Sequence, residues 1–216
     1  MFQTDKNATA PVSTCIEQEP KNTRSRILGA ARIAFAQFGF EGTSLRHIAD
    51  RAGETHQLLV YHFGTKEGVW RASIEELLSE GLNTASSLRK LSERDAEQAL
   101  RQYVHLLIQF SARFPEFHRI MTFEGQADSP RFRWLVEKYL KVVFETSIHL
   151  ITTAQNAGVI RSCDASLLHY GLIGLVTSRF VFALESRMLS GIDPFQAKEV
   201  SELEALALAL LGLPDS

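Results

Sequence analysis

Two cysteines, Cys15 and Cys163, are all that this chain of 216 residues contains, and they lie far apart with no CxxC pair. That rules against a disulfide framework or a zinc cluster, and it makes a reducing cytoplasm the expected setting. Catalytic signatures are missing as well. There is no HExxH, no GxSxG and no glycine-rich phosphate loop, which argues against an enzyme. His56 and His62 stand six residues apart, off one helical face, with no Cys or Asp to join them, so neither a metal nor a cofactor is expected. No β-hairpin and no internal repeat can be read. The longest apolar run, Leu167 to Leu184, contains His169, Arg179 and several small polar residues, so it reads as a buried or interface helix and no membrane contact is expected. Residues 1–20 are polar, with no apolar stretch of signal-peptide length, and read as a disordered arm.

An excess of one charge is also lacking, since 23 Lys and Arg face 25 Asp and Glu for a formal net charge of −2. The distribution is uneven. Residues 21–71 hold eight cationic against four acidic side chains, whereas residues 72–216 hold fourteen against eighteen. A basic head on an acidic body is the footprint of local phosphate binding.

Within that head, Ile27, Ala31, Phe35 and Phe38 recur at helical steps, and Gly39 is suited to the left-handed residue that ends a helix. Thr43 is expected to cap a short second helix whose inward face is Leu45, Ile48, Ala49 and Ala52, closed by Gly53. Thr55 is expected to cap a third, in which Leu59 and Phe63 face the core while His56, Gln57, Val60 and Tyr61 face outward. Two short helices joined by a glycine-containing turn match the helix-turn-helix pattern, whose second helix enters the major groove of duplex DNA. Gln57 can pair bidentately with adenine, His56 can bond a purine edge, and Val60 offers methyl surface to thymine. Thr43, Arg46, Thr55, Tyr61, His62 and Lys66 suit the phosphate backbone, together with the amides behind Thr65.

The string from Ile27 to Trp70 resembles the DNA-binding domain of the tetracycline-repressor (TetR) family. The resemblance rests on Ile27-Leu28, Ala30-Ala31, Phe35, Gly39, Thr43, Ile48-Ala49, Ala52-Gly53, Leu59, Tyr61-His62-Phe63 and Lys66-Glu67, in the family's order and spacing. Glu54, Gln57 and Val60 depart from the family's usual residues, which leaves the operator sequence open. The resemblance implies a dimeric regulator that a small inducer releases from a palindromic operator, and sequence leaves a protein effector or an activator as alternatives.

Beyond residue 66 the periodicity predicts six more helices, so the fold class expected is all-α with about nine helices. The domains expected are the arm over 1–20, a three-helix head over 21–66 and a ligand-binding and dimerisation body over 67–216. Ser92 is expected to cap the helix from Glu93 to about Arg113, Pro130 to open one reaching Asn156, Asp164 to cap one reaching Leu189, and Asp193-Pro194 to start the last. The aromatics crowded between residues 100 and 145 are either plain core or the lining of a cavity. The cavity reading draws Tyr103, Leu107, Phe110, Phe117, Met121, Trp134, Tyr139 and Val143 together around a small apolar or amphipathic effector. His118, Arg119, Glu124 and His149 are candidate polar groups there. The last two helices carry more apolar face than one layer needs. By resemblance, Leu168, Leu172, Leu175, Phe180, Leu203, Leu206 and Leu210 are assigned to a homodimer interface, the alternative being packing within the monomer.

Overall fold

The computed structural model describes residues 23–213, and among them every regular element is a helix. The arm expected over residues 1–20 lies outside that range. The first helix, α1 (Thr23–Gly42), buries Ile27, Ala31 and Phe35 and is broken at Gly39, whose φ of 67° only glycine adopts readily. Its four-residue stripe therefore lands on Gly39, packed against the Phe123 ring. Phe38, expected on the same face, is 43% exposed beside His47, because it lies a quarter-turn off that stripe.

Helices α2 (Leu45–Ala52) and α3 (His56–Phe63) follow, then the long α4 (Lys66–Ser92). The Thr55 and Thr65 hydroxyls accept from the Leu58 and Gly68 amides at 3.2 and 3.0 Å, each the cap of its helix. Thr43 does not cap α2. Its buried hydroxyl donates to the carbonyls of Gly39 (2.7 Å) and Ala34 (3.2 Å), latching the break in α1, and Ser44 caps α2 instead by accepting from the His47 amide.

The body continues with α5 (Ala96–Arg113), α6 (Pro115–Glu124) and α7 (Pro130–Leu135), which runs through a π-helical segment (Val136–Leu140) into α8 (Lys141–Asn156). Asp95 rather than Ser92 caps α5, since Ser92 is buried and donates to the Arg89 carbonyl within α4. The helix expected from Asp164 to Leu189 is two: α9 (Ala165–Val181) and α10 (Ala183–Ser190) meet at 65°. The Arg179 guanidinium ties that bend by donating to Ser186 (3.2 Å) and to Glu199 (2.6 Å) of α11 (Ala197–Leu211). Counting Pro130–Asn156 once, ten helices stand among the described residues, one more than expected because of this bend. The last helix starts after Gln196, while Asp193 accepts from the Phe195 amide in the turn before it.

Two apolar cores result, and their border does not follow the chain at residue 66. One joins α1, α2, α3 and the first half of α4 to Phe117 and Ile120 of α6, Leu135 of α7 and Tyr139. The other joins Leu88 at the far end of α4 to α5, α8, α9 and α11. Helices α6 and α7 thus lie against the head, so a shift in either must disturb the seat of α1 and α4.

Candidate nucleic-acid interface

Helix α3 is held by one fully buried side chain, Leu59, and by the half-buried Phe63, over which Arg24 lies at 5.0 Å. Removing Leu59 to Ala would cost about 2–5 kcal/mol. With those two facing inward, helical periodicity turns His56, Gln57, Val60, Tyr61 and His62 to solvent, and all five are exposed. Tyr61 is 83% exposed, its ring edge-on to His62 at 5.3 Å. The turn before α3 is set by Gly53 (φ 68°), and Glu54 within that turn pairs with Arg26 of α1, which fastens the α2–α3 corner to the first helix. Glu54, a departure from the family pattern, therefore has a structural partner.

The backbone-contact candidates divide. Arg46 is exposed on α2 and makes no ion pair or hydrogen bond among the described residues. Thr55 is exposed at the start of α3, where orphan amides favour an anion. Thr43 is only 2% exposed and its hydroxyl points inward, so Ser44 replaces it at the mouth of α2. Lys66 is half-buried. Its ammonium donates to the Phe40 carbonyl at 2.8 Å and lies 4.3 Å from the Phe40 ring, which makes it a strut of the head rather than a free phosphate contact. Ser44 was accessible to sequence reasoning as a second capping-type residue, but only burial distinguishes it from Thr43.

The eight residues expected around one cavity do not converge. Tyr103 and Leu107 belong to the body core, whereas Phe110, Phe117, Met121, Trp134 and Tyr139 belong to the core shared with the head. Trp134 meets Trp70 of α4 at 5.9 Å and Tyr139 at 5.7 Å, with Leu135 buried beneath, and Val143 is half-buried on α8. Two concavities that the surface does show are open grooves elsewhere, between α1 and α6 and at the α6–α7 corner. Of the polar candidates, Arg119 is exposed, Glu124 pairs with Arg131 at 3.0 Å, and His149 bonds Ser92 at 3.2 Å. His118 is buried between Ser111 and Thr177, and that burial pushes its pKa down to about 4.

The dimer candidates also divide. Leu172, Phe180 and Leu203 are buried in the body core and Leu168 and Leu175 pack at its edge, so these serve the monomer. Leu206 and Leu210 are 49% and 65% exposed, in company with Leu167 and Leu184, the two ends of the long apolar run, and with Tyr170, Phe182, Met188 and Leu189, which the sequence reading did not assign to an interface. Each of these helices is apolar on two sides, so composition could not tell which side the monomer covers.

Residues 27–72 match the family described as bacterial regulatory proteins, tetR family. The chain is 28% identical over 141 residues to the HTH-type transcriptional regulator RutR of Escherichia coli K12, covering 65% of this chain and 66% of RutR, just under two thirds of the relative's length. It is 33% identical over 108 residues to the HTH-type transcriptional repressor NicS of Pseudomonas putida, half of each chain. In three dimensions it is similar to the hemolysin II transcriptional regulator HlyIIR, with a TM-score of 0.67 over 92% of this chain and all of that one at 20% identity, a likeness of fold. Residues 27–72 are therefore a helix-turn-helix DNA-binding domain of the TetR family, carried on a body whose all-helical fold is similar to that of such regulators.

Proposed function

We propose that this protein is a homodimeric repressor that binds a roughly palindromic DNA operator through α3 and leaves it when a small-molecule effector binds the body. The observation that carries the reading is the outward face of α3, where His56, Gln57, Val60 and Tyr61 stand clear of the head while Leu59 and the Thr55 cap hold the helix rigid. Gln57 and His56 supply base-edge hydrogen bonds and Val60 a methyl contact. Arg46, Thr55, Tyr61 and His62 supply phosphate contacts, with Ser44 in place of Thr43.

Dimerisation through the exposed apolar side chains of α9, α10 and α11 would set two copies of α3 about 34 Å apart, one duplex turn. Acting on DNA places the protein in the cytoplasm. Among the described residues no single helix is long and apolar enough to cross a membrane. Release would follow from the shared core, since a ligand that displaces α6 or α7 also moves Trp70 and the head. The deciding experiment is binding to inverted repeats from the protein's own promoter across a salt series. Preference over random duplex, with affinity falling steeply as salt rises, is the expected result, and equal affinity for both at every salt rejects the reading.

A further inference from the structure

Helix α3 is eight residues long, and a helix of that length holds neither its shape nor its direction without help from its neighbours. Its one fully buried side chain is Leu59. A single central anchor fixes where the helix sits but lets it tilt about that point, so whatever holds the two ends decides where His56 and Gln57 face.

Both ends are held from the first turn of α1. Arg26 pairs with Glu54, the residue immediately before the Thr55 cap, and also donates to the Thr23 hydroxyl at 3.3 Å. Two residues earlier, the Arg24 guanidinium lies 5.0 Å from the centroid of the Phe63 ring, on the last residue of α3. One turn of α1 therefore grips α3 at its start and at its finish.

Stability does not account for the acid in this grip. An ion pair whose arginine is 46% exposed, even with the favourable field at a helix start beside it, contributes little to folding. Attraction to DNA does not account for it either, since a carboxylate next to the start of α3 opposes the phosphate that the amides there favour. Glu54 is nonetheless held in place, with its side chain only 12% exposed.

We propose that Glu54 is a positioning residue for base reading: its pair with Arg26, together with Arg24 on Phe63, fixes the tilt of α3 and so the discrimination between operator and other duplex. This rests on the reading of α3 as the helix that meets the base edges. Hydrogen bonds to a base edge are directional and tolerate errors of about 0.5 Å and about 10–20°, whereas attraction to the phosphates survives larger ones. Loosening the grip therefore lowers affinity for the operator and spares affinity for random duplex.

The test compares inverted repeats from the protein's own promoter with a random duplex of equal length, at one salt concentration, using the full chain. Glu54→Gln removes a negative charge beside the DNA. If that charge acted only through its field, both duplexes would bind more tightly and in proportion. With Glu54 as a positioning residue, operator binding is expected to weaken at least about threefold while random binding is unchanged or tighter. Arg24→Lys, which keeps the charge but not the flat guanidinium, is expected to lower the operator preference in the same way. In an Arg26→Gln background the pair is already broken, so Glu54→Gln is expected to change the preference no further. The melting temperature is expected to fall by no more than about 5 °C in each single variant.

An operator preference unchanged by Glu54→Gln, or parallel tightening on both duplexes, overturns the proposal. So does a parallel loss on both with a larger fall in melting temperature, the mark of a role in folding alone. Wild-type protein without operator preference rejects the reading of α3 and the positioning role with it, while a wild-type preference that survives Glu54→Gln rejects the positioning role alone.

Discussion

The Lys66 ammonium donates to the Phe40 carbonyl at 2.8 Å and lies against the Phe40 ring, while the Arg131 guanidinium sits 3.6 Å from the centroid of that same ring. Arg131 is itself paired with the buried Glu124 at the end of α6. The α1–α2 corner is therefore fastened both to the start of α4 and to the α6–α7 corner, and two cations that composition assigns to the basic head or to the surface are structural struts.

For Lys66 this reverses the expected signature of a substitution. Lys66→Met should lower unfolding free energy by about 1–3 kcal/mol, because the Phe40 carbonyl loses a charged donor. Operator affinity should fall with it while the salt slope stays constant. Arg46→Ala should do the opposite, leaving the melting temperature unchanged and reducing the salt slope by about one. Denaturant unfolding paired with salt titrations of DNA binding measures both.

Gln57 is exposed and supports nothing in the head, so its replacement tests base reading alone. Gln57→Ala should leave stability within about 0.5 kcal/mol of the wild type. It should relax discrimination at one base pair per half-site by about 1–3 kcal/mol. A panel of operator duplexes with single base changes shows whether one position per half-site loses its preference.

Association should depend on Leu210 and not on Leu172. Leu210→Arg adds charge to an exposed apolar surface and should yield a folded monomer in sedimentation, with operator affinity lost. Leu172→Ala opens a cavity in the body core and should cost about 2–5 kcal/mol of stability while the assembly persists. A dimer unaffected by Leu210→Arg would place the interface elsewhere.

His118 should make the fold acid-sensitive above the range of its carboxylates. Ser111 gives its own proton to the Leu107 carbonyl (2.7 Å), so His118 Nε2 donates to Ser111 and Nδ1 accepts from Thr177. Protonating Nδ1 would lose that acceptor and bury a charge between Phe110 and Phe117. Its folded pKa of about 4 lies below the unfolded value of 6.5, so the unfolded chain takes up a proton first as pH falls. The contribution is complete above pH 6.5 and is lost on the way down to about pH 4, with about 2 kcal/mol gone at pH 5. Urea unfolding at pH 7 and pH 5 should show this loss, and His118→Gln should remove it.

Local signals carried most of the head and little of the candidate effector site. The Thr55 cap, the Gly53 turn and the outward face of α3 depend on residues three or four apart, and each was readable from such spacing. The bend at Phe182 has no Pro or Gly to announce it, and the contacts that fasten it, from Arg179 to Ser186 and Glu199, join three helices. The aromatic residues between 100 and 145 read as one group because they share composition. They separate because α6 and α7 fold over the head while α5 and α8 do not.

What the sequence by itself determined was therefore most of the helices, several of their caps and the outward face of α3, since hydrogen bonds to nearby amides and a 3.6-residue period are properties of a short segment. What only the tertiary structure decided was the partner of each apolar or charged side chain. A stripe of leucines states that it will be covered, not by what, and so Leu172 and Phe180 went to the monomer's core while Leu206 and Leu210 stayed on its surface. Likewise Lys66 found a carbonyl 26 residues away, because contacts between distant segments depend on how whole helices cross.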